Sequence, residues 1–300
     1  MRTICLFVLL FVSWSVIAEE SEPIRILSVN VRYSTAKDGE NSWSNRKEFL
    51  ADVIVEGSYD FVGSQETVVD PRPEYNQVDY FISKMPNYGA LWRSREKTPE
   101  RGEAMLILWK KERWKIDAKD QGTFWISDTP EIPGSKTDPK ALPRCVTFGL
   151  FHELKNGKET GYKIYVYNTH YAGGEASQRG AKLLMERIFI RKDKETPIVA
   201  MGDLNCGEES PPIRYMQGNP MILDGTEIKP PLGLIDTFRA ANPNEVDVGT
   251  YNDFKSSGQV KADYIFVSAP LKTVSSKIIR TQRNNRYPSD HFPIEAVIQK

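Results

Sequence analysis

Polar side chains of the kinds that catalyse hydrolysis stand at the ends of predicted buried strands in six places along the chain. Five clusters stand where a strand stops and the sixth, Asp263, opens one; the five are Asn30, Glu66, Asn168 with His170, Asp203 with Asn205, and Asp290 with His291. Because loops at strand ends project side chains into one cleft in α/β folds, we expect these residues to assemble into a single site. Each cluster is weak alone, since an Asp-Leu-Asn segment is also a common turn and a single histidine is more often structural.

Three of these residues offer the oxygen atoms that a hard divalent cation prefers. Glu66 and Asp290 supply carboxylates, and Asn30 supplies an amide carbonyl. Carboxylate and carbonyl oxygens are the usual protein ligands of Mg²⁺ and related ions. We therefore predict a site here for Mg²⁺ or Mn²⁺, holding one or two ions.

The remaining polar residues suit hydrolysis at phosphorus. This reaction needs a base that takes a proton from water, and donors for the charge that grows on the phosphoryl oxygens. Asp203 is the candidate base, and Asp263 could orient His291, as carboxylates commonly do for histidines. The candidate donors are Asn205, Asn168, His170 and His291.

Several other chemistries lack the residues they require. The chain contains no His-Glu-x-x-His segment, no Cys/His zinc spacing, no Gly-x-Ser-x-Gly turn and no glycine-rich phosphate loop with lysine. Structural zinc, a serine-hydrolase mechanism and a nucleotide-driven motor are therefore unsupported.

The elements that must position these clusters alternate between strands and helices. Hydrophobic periodicity predicts helices at Asn45–Glu56, at Tyr75–Met85 and through Ala181–Phe189. It predicts strands at Ile24–Val31, Asp60–Gln65, Ala104–Trp109, Arg113–Trp125, Arg144–Glu153, Tyr162–Asn168, Ile198–Gly202, Ala262–Val267 and Pro293–Ile298. Hairpins as well as crossovers occur, so the sequence predicts an α/β fold with mixed sheets covered by helices, in one domain spanning 19–300.

The composition is that of a globular protein with balanced charge. The 300 residues are 40% hydrophobic and 27% charged, with 40 basic and 40 acidic side chains. This excludes a disordered chain and leaves no net positive field that would gather nucleic acid or anionic membrane. A phosphorylated substrate must therefore be recognised by a local site.

Residues 1–18 have the pattern of a secretory signal peptide. Arg2 precedes an apolar run, and Ala18 precedes the polar segment Glu19–Glu22. The alternative, a transmembrane anchor, is disfavoured because the run is short. We therefore expect cleavage near Ala18, export to the periplasm or the medium, and no membrane anchor afterwards. Whether Cys145 and Cys206 then form a disulfide stays open, since spacing alone cannot establish the geometry.

The ordered motifs resemble those of the endonuclease/exonuclease/phosphatase superfamily, which includes DNase I. The matching segments are Asn30, GSQE at 63–66, NTH at 168–170, GDLN at 202–205, DYI at 263–265 and SDHFP at 289–293. The resemblance implies a DNase I-like, four-layer sandwich of two mixed β-sheets flanked by helices.

The resemblance also implies roles. It assigns Glu66 to the metal, with Asn30 beside it and Asp290 nearby, and Asp203 to the activation of water. Asn205 would steady the transition state, and the remaining residues would engage the phosphate: Asp263, His291, Asn168 and His170. One departure concerns the acid that apurinic endonucleases can carry two residues after the first Asn, where this chain has Arg32.

Two arginines are further candidates for binding substrate. Arg46 opens a predicted helix, where a cation opposes the helix dipole unless an anion compensates it, and the alternative is a surface salt bridge. Arg144 starts a strand and could clamp a phosphate bidentately, or it could be an ordinary charge at a sheet edge. Tyr251, Tyr171 and Trp125 could stack on a base or sugar, although aromatic residues near strands more often belong to the core.

The sequence thus predicts an exported, monomeric, Mg²⁺- or Mn²⁺-dependent phosphoester hydrolase, with a phosphodiester favoured over a monoester. Nucleic acid, a lipid headgroup and a sugar phosphodiester all remain candidate substrates. The alternatives are a phosphomonoesterase acting on a small phosphorylated sugar or inositol phosphate, and a non-catalytic binding protein on the same fold. A carbohydrate hydrolase with paired carboxylates would explain neither the asparagines nor the histidines.

Overall fold

The computed structural model describes residues 22–300, so the predicted signal peptide lies outside the described residues. The strands are β1 (Ile24–Asn30), β2 (Phe61–Val69), β3 (Tyr88–Leu91), β4 (Gly102–Lys110), β5 (Trp114–Trp125), β6 (Cys145–Lys155), β7 (Lys158–His170), β8 (Ile198–Asp203), β9 (Met221–Leu223), β10 (Thr226–Ile228), β11 (Ile235–Asp236), β12 (Asp263–Val267), β13 (Lys272–Ile278) and β14 (Ile294–Gln299). The α-helices are α1 (Trp43–Gly57), α2 (Gln77–Lys84), α3 (Ala176–Phe189), α4 (Pro211–Met216) and α5 (Thr237–Ala241). Among these residues, none of the helices is both long and apolar enough to span a bilayer.

Two mixed six-stranded sheets form the centre of the fold. The first has the order β13-β14-β1-β2-β4-β3 and the second β11-β12-β8-β7-β6-β5, while β9 and β10 form a separate hairpin. Within each sheet one central pair is parallel, β1 with β2 and β7 with β8, and the other neighbours are antiparallel.

Alternating side chains on the central strands separate the two faces of each sheet. In β1, Ile26 faces the second sheet, whereas Leu27 packs against the helices α1 and α2. In β8, Met201 faces the first sheet, whereas Ala200 packs in the cluster that includes α3 and α4. The period-2 pattern of strands therefore produces four layers, helix–sheet–sheet–helix, which confirms the predicted sandwich.

The predicted helices and strands are present, with ends that differ by a few residues. Several short elements were not predicted from the sequence. These are β3, β9, β10, β11, β13, α4 and α5. The edge strand β13 shows why, because its sequence KTVSSKI is mostly exposed and carries little hydrophobic alternation. Cys145 and Cys206 are both buried as free thiols, so no disulfide joins them.

Candidate active site

Strand registers bring the six polar clusters to one edge of the sandwich. In the first sheet, Asn30 pairs with Gln65, next to Glu66, and β14 begins opposite Ser28. In the second sheet, Asp203 lies between its partners His170 and Asp263. Asp290 and His291 precede β14 rather than follow a strand, a correction that the antiparallel pairing explains, because the start of β14 lies beside the end of β1.

Glu66 lies in a β-bulge that turns its carboxylate toward the site. The pairing of β2 with β4 shifts between Ser64 and Thr67, and Glu66 has a φ of 58°. Its two carboxylate oxygens accept hydrogen bonds from the Asn30 amide at 3.0 Å and from the backbone N–H of Tyr33 at 3.1 Å. The bulge thus fixes the orientation of this carboxylate on the cavity wall.

Asn30 connects the two sheets rather than presenting a bare oxygen. Its Nδ2 donates to Glu66 and also to Oδ2 of Asp203 at 3.0 Å, and its Oδ1 accepts from the N–H of Arg32 at 2.9 Å. The predicted ligand Asn30 is therefore placed to orient both carboxylates.

Asp203, at the end of β8, is 1% exposed. Its Oδ1 accepts from the N–H of Asn205 at 2.9 Å, and its Oδ2 lies 3.4 Å from Nε2 of His170. Burial raises the pKa of Asp203 to about 7, although the nearby His291 charge and the hydrogen bond from Asn30 oppose the shift. A carboxyl group with a pKa near neutrality can both accept and release a proton, which suits a general base.

His291 forms a buried ion pair with Asp263. Its Nδ1 lies 2.8 Å from Oδ2 of Asp263, and its Nε2 lies 3.8 Å from Oδ2 of Asp203. Burial alone would lower the pKa of His291, but the carboxylates of Asp263 and Asp203 outweigh it and raise the pKa to about 10. The imidazole is therefore positively charged at neutral pH and can donate to a phosphate oxygen.

His170 is neutral, in contrast to His291. Burial first, and then the charges of Arg144 and Arg95, hold the pKa of His170 well below its ordinary value. The amide of Asn205 donates to the carbonyl of Tyr171 at 2.9 Å, which fixes its orientation, and the same nitrogen lies 2.9 Å from Nε2 of His170. Nε2 is therefore the acceptor and Nδ1 carries the proton. In this arrangement Asn205 orients His170.

Arg32 is a site residue to which the sequence assigned no function. Its guanidinium makes two hydrogen bonds to Asp38, at 2.9 and 3.0 Å, and its Nη1 lies 3.4 Å from Oδ2 of Asp290. Burial raises the pKa of Asp290, and the negative charge of Glu66 adds to the shift, while His291 and Arg32 oppose it. The one signal for Arg32 in the sequence was its position two residues after Asn30, where apurinic endonucleases can carry an acid.

These groups line one cavity of about 280 Å³. Its wall includes Arg32, Glu66, Arg144, His170, Asp203, Asn205, Tyr251, Asp290 and His291. Arg144 thus lines the cavity, and its Nε and Nη1 are buried without an acceptor among the described residues. Of the three aromatic candidates, Tyr251 lines the cavity with its ring centroid 5.2 Å from that of His291, whereas Tyr171 and Trp125 are buried in the core.

Two predicted site residues have structural roles instead. Arg46 is 4% exposed, and its guanidinium donates to backbone carbonyls, namely those of Val31, Arg32, Asn41 and Pro288. Asn168 is fully buried and joins the sheets through the carbonyls of Ser64 and Leu106 and the side chain of Gln65. Neither side chain lines the cavity, because the N–H donors of both are already hydrogen-bonded to backbone carbonyls elsewhere in the fold.

The donor set fits a hard divalent cation. Glu66 and Asp290 face the same cavity and present carboxylate oxygens. Ligand atoms of Asp203, Asp263 and His291 also lie within 4.8 Å of one another. That second group is a poorer metal site, because His291 is a charged imidazole that already donates to Asp263, and a protonated nitrogen cannot bind a metal.

Comparisons with known proteins identify a matching family and solved structures with a similar fold. The model of the endonuclease/exonuclease/phosphatase family matches residues 27–291. An endonuclease/exonuclease/phosphatase protein of Bacteroides vulgatus is 25% identical, covering 93% of this chain and 99% of that chain with a TM-score of 0.78. A mannosyl-6-phosphatase of Bacteroides thetaiotaomicron is 22% identical, covering 92% and 100% with a TM-score of 0.74. TDP2 of D. rerio, complexed with a single-strand DNA product, is 16% identical, covering 93% and 100% with a TM-score of 0.65.

Proposed function

This chain belongs to the endonuclease/exonuclease/phosphatase family of phosphoester hydrolases, and we propose that it uses Mg²⁺ or Mn²⁺ and an Asp203-activated water. The observation that carries the proposal is the position of Asp203. Its buried carboxylate is held by Asn30 and lies 3.8 Å from the charged His291, in the same cavity as Glu66 and Asp290.

Each residue then has one task in the reaction. Glu66 and Asp290 would hold the cation, which supplies charge stabilisation at a nonbridging phosphoryl oxygen. Asp203 accepts the proton of the attacking water, so no covalent intermediate with the protein is needed. His291 donates to the developing negative charge, and Asp263 keeps it protonated throughout.

The size of the cavity bears on the choice of substrate. The sequence favours a phosphodiester, and the balanced charge argues against long duplex DNA. A cavity of about 280 Å³ matches a small ligand, which supports the second candidate, hydrolysis of a small phosphorylated sugar or inositol phosphate. One structural relative carries the name mannosyl-6-phosphatase, and it shares the fold.

The test compares bis-p-nitrophenyl phosphate and p-nitrophenyl phosphate with metal-free protein, added Mg²⁺ or Mn²⁺, and EDTA. We expect turnover that EDTA abolishes and metal restores. Asp203→Asn should lower kcat by about 10³-fold or more, the range of a lost base and its charge. Asp224→Asn is the matched control, because Asp224 is exposed, lies outside the cavity and forms its ion pair with Arg179. Near-normal turnover in Asp203→Asn would refute the assigned base.

Export is the further part of the proposal. The pattern of residues 1–18 supports a cleaved signal peptide. N-terminal sequencing of protein recovered outside the cytoplasm should begin near Glu19, and recovery of the uncleaved chain in the cytoplasm would contradict export.

A further inference from the structure

Arg144 and Arg95 carry buried guanidinium nitrogens that no group in the described part of the chain satisfies. In both side chains, Nε and Nη1 are buried and lack a hydrogen-bond acceptor among residues 22–300. Nε of Arg95 comes no closer than 3.7 Å to Oε1 of Glu96. Unsatisfied buried donors are costly, most of all when charged, so two such groups side by side require an explanation.

Structural arginines of the same chain behave differently. Arg113 donates to the carbonyls of Glu22 and Pro23 and to the carboxylates of Asp60 and Glu153. Arg46 is likewise surrounded by carbonyls. The fold therefore satisfies a buried guanidinium where the role is structural, and the donors of Arg95 and Arg144 stand out by comparison.

The two arginines belong to segments from different sheets that meet beside the catalytic cavity, and of the two only Arg144 forms part of the described cavity wall. Arg144 lines that cavity directly before β6. Arg95 follows β3, and its carbonyl accepts from the indole of Trp125 at 2.6 Å. Trp125 pairs with Cys145, the residue after Arg144, so the chain path itself brings the two arginines together.

Among the described residues, Arg95 forms ion pairs with Glu96 and Glu103, whereas the guanidinium of Arg144 forms none. Glu103 accepts from Nη2 of Arg95 at 2.6 Å. After burial, the charge of Arg95 is the main cause that lowers the pKa of Arg144. The carboxylates of Glu103, Asp203 and Glu66 act on Arg144 in the opposite direction. Nδ1 of His170, which carries a proton, is also buried and without an acceptor among the described residues. What the fold leaves without a partner is therefore a set of buried N–H donors, and the matching ligand is an oxyanion.

We propose that Arg95 and Arg144 form an anion subsite beside the reaction centre, which binds a phosphate-like oxyanion of the substrate. The inference deepens the proposed function and rests on it for the identity of the substrate. A planar guanidinium presents paired N–H donors at the spacing of phosphate oxygens, which makes arginine suited to this recognition. The oxyanion has two conceivable sources: the doubly charged phosphoryl group of a monoester, or a second anionic group on a diester.

The direct test measures binding of inorganic phosphate to the full chain by calorimetry. Arg95→Met should weaken binding by about tenfold or more, the effect of losing hydrogen bonds to a charged group. Arg93→Met is the matched control, because Arg93 already donates to the carbonyls of Ser94 and Lys97 and should bind phosphate as the parent does. Affinities for Arg95→Met within twofold of the parent would overturn the proposal.

Two further variants guard against misfolding. Arg95→Lys keeps the positive charge but loses the paired N–H donors. The double variant Arg95→Met/Glu103→Gln removes both partners of the Arg95–Glu103 ion pair. Melting temperatures identify which variants are folded, and at least tenfold weaker phosphate binding is expected in both. Parental affinity in a folded member of this set would contradict the subsite.

Steady-state kinetics distinguish the two sources of the oxyanion, and they test the subsite separately from the proposed hydrolysis. A loss of kcat/KM in Arg95→Met larger for p-nitrophenyl phosphate than for bis-p-nitrophenyl phosphate would assign the subsite to a monoester. A loss confined to a diester bearing an extra phosphate would assign it to a second group, and an equal loss on all substrates would overturn the proposal. If the parent binds phosphate through Arg95 but hydrolyses nothing, the subsite stands and the proposed function fails.

Discussion

Nδ1 of His291 lies 2.8 Å from Oδ2 of Asp263, so this buried imidazole is held as a cation. Its pKa in the folded chain is about 10, against an ordinary value of 6.5. The folded state therefore binds this proton more tightly than the unfolded state does. The stabilisation it provides is complete below pH 6.5 and is lost as the pH rises toward 10.

The first prediction concerns Asp263→Asn. Removing this carboxylate should lower the pKa of His291, because burial would then be opposed by fewer negative charges. Proton NMR of the three histidines can follow the titration. The free energy of unfolding should decline between pH 6.5 and 10 in the parent and stay nearly flat in the variant, apart from other titrating groups. An unchanged His291 titration in Asp263→Asn would contradict the assigned ion pair.

The second prediction concerns Arg32, whose Nη1 lies 3.4 Å from Asp290. Arg32→Gln removes a fixed positive charge beside the proposed metal ligands, so Mn²⁺ should bind about tenfold more tightly, the effect of one weakly screened charge at short range. Calorimetry with Mn²⁺ measures this. Arg72→Gln is the control, because Arg72 makes two hydrogen bonds to Asp70, as Arg32 does to Asp38, but at an exposed position. Weaker Mn²⁺ binding would mean that Arg32 mainly positions Asp290.

The third prediction tests the structural role of Arg46, for which the sequence had offered only a substrate contact or a surface salt bridge. If Arg46 is structural, Arg46→Met leaves several carbonyls unsatisfied and lowers the free energy of unfolding by about 3 kcal/mol. Two of these carbonyls, those of Arg32 and Pro288, belong to the segments that hold the site residues. Loss of their hydrogen bonds should displace those residues, so we expect kcat to fall by a larger factor than KM rises. Urea denaturation and steady-state kinetics measure both. Unchanged stability with a raised KM would restore the substrate contact expected from the sequence.

The fourth prediction concerns Gly202, directly before Asp203. Its φ is +151°, and a Cβ added there would lie 1.9 Å from the carbonyl oxygen of Thr169. Gly202→Ala should therefore lower the free energy of unfolding by about 3 kcal/mol and reduce kcat by displacing Asp203. Gly207→Ala is the control, since its added Cβ would only touch Val260 at 3.5 Å. Equal stability of the two variants would show that β7 can move away from β8.

The sequence predicted much of the site because its signals are local. A polar residue at either end of a buried strand is visible within ten residues, and such residues drew Glu66, Asp203 and Asp263 into the predicted site. Asp290 and His291 were included as well, although they precede β14 instead of following a strand. The fold class followed from the same alternation of strands and helices. Short, mostly exposed elements such as β13 were not predicted, because few of their residues are buried and their sequence shows no clear hydrophobic alternation.

The sequence by itself determined which chemical groups are present, their order, and the layers that carry them. The tertiary structure alone decided which of those groups reach the cavity. Arg46 and Arg144 cannot be told apart by their local sequences. The guanidinium of Arg46 donates to the carbonyls of Val31 and Pro288, whereas Nε and Nη1 of Arg144 have no acceptor among the described residues. Partners that are up to 242 residues away in the chain settle this difference. Hydrogen-bond partners at such separations are chosen by packing, and no local pattern encodes them.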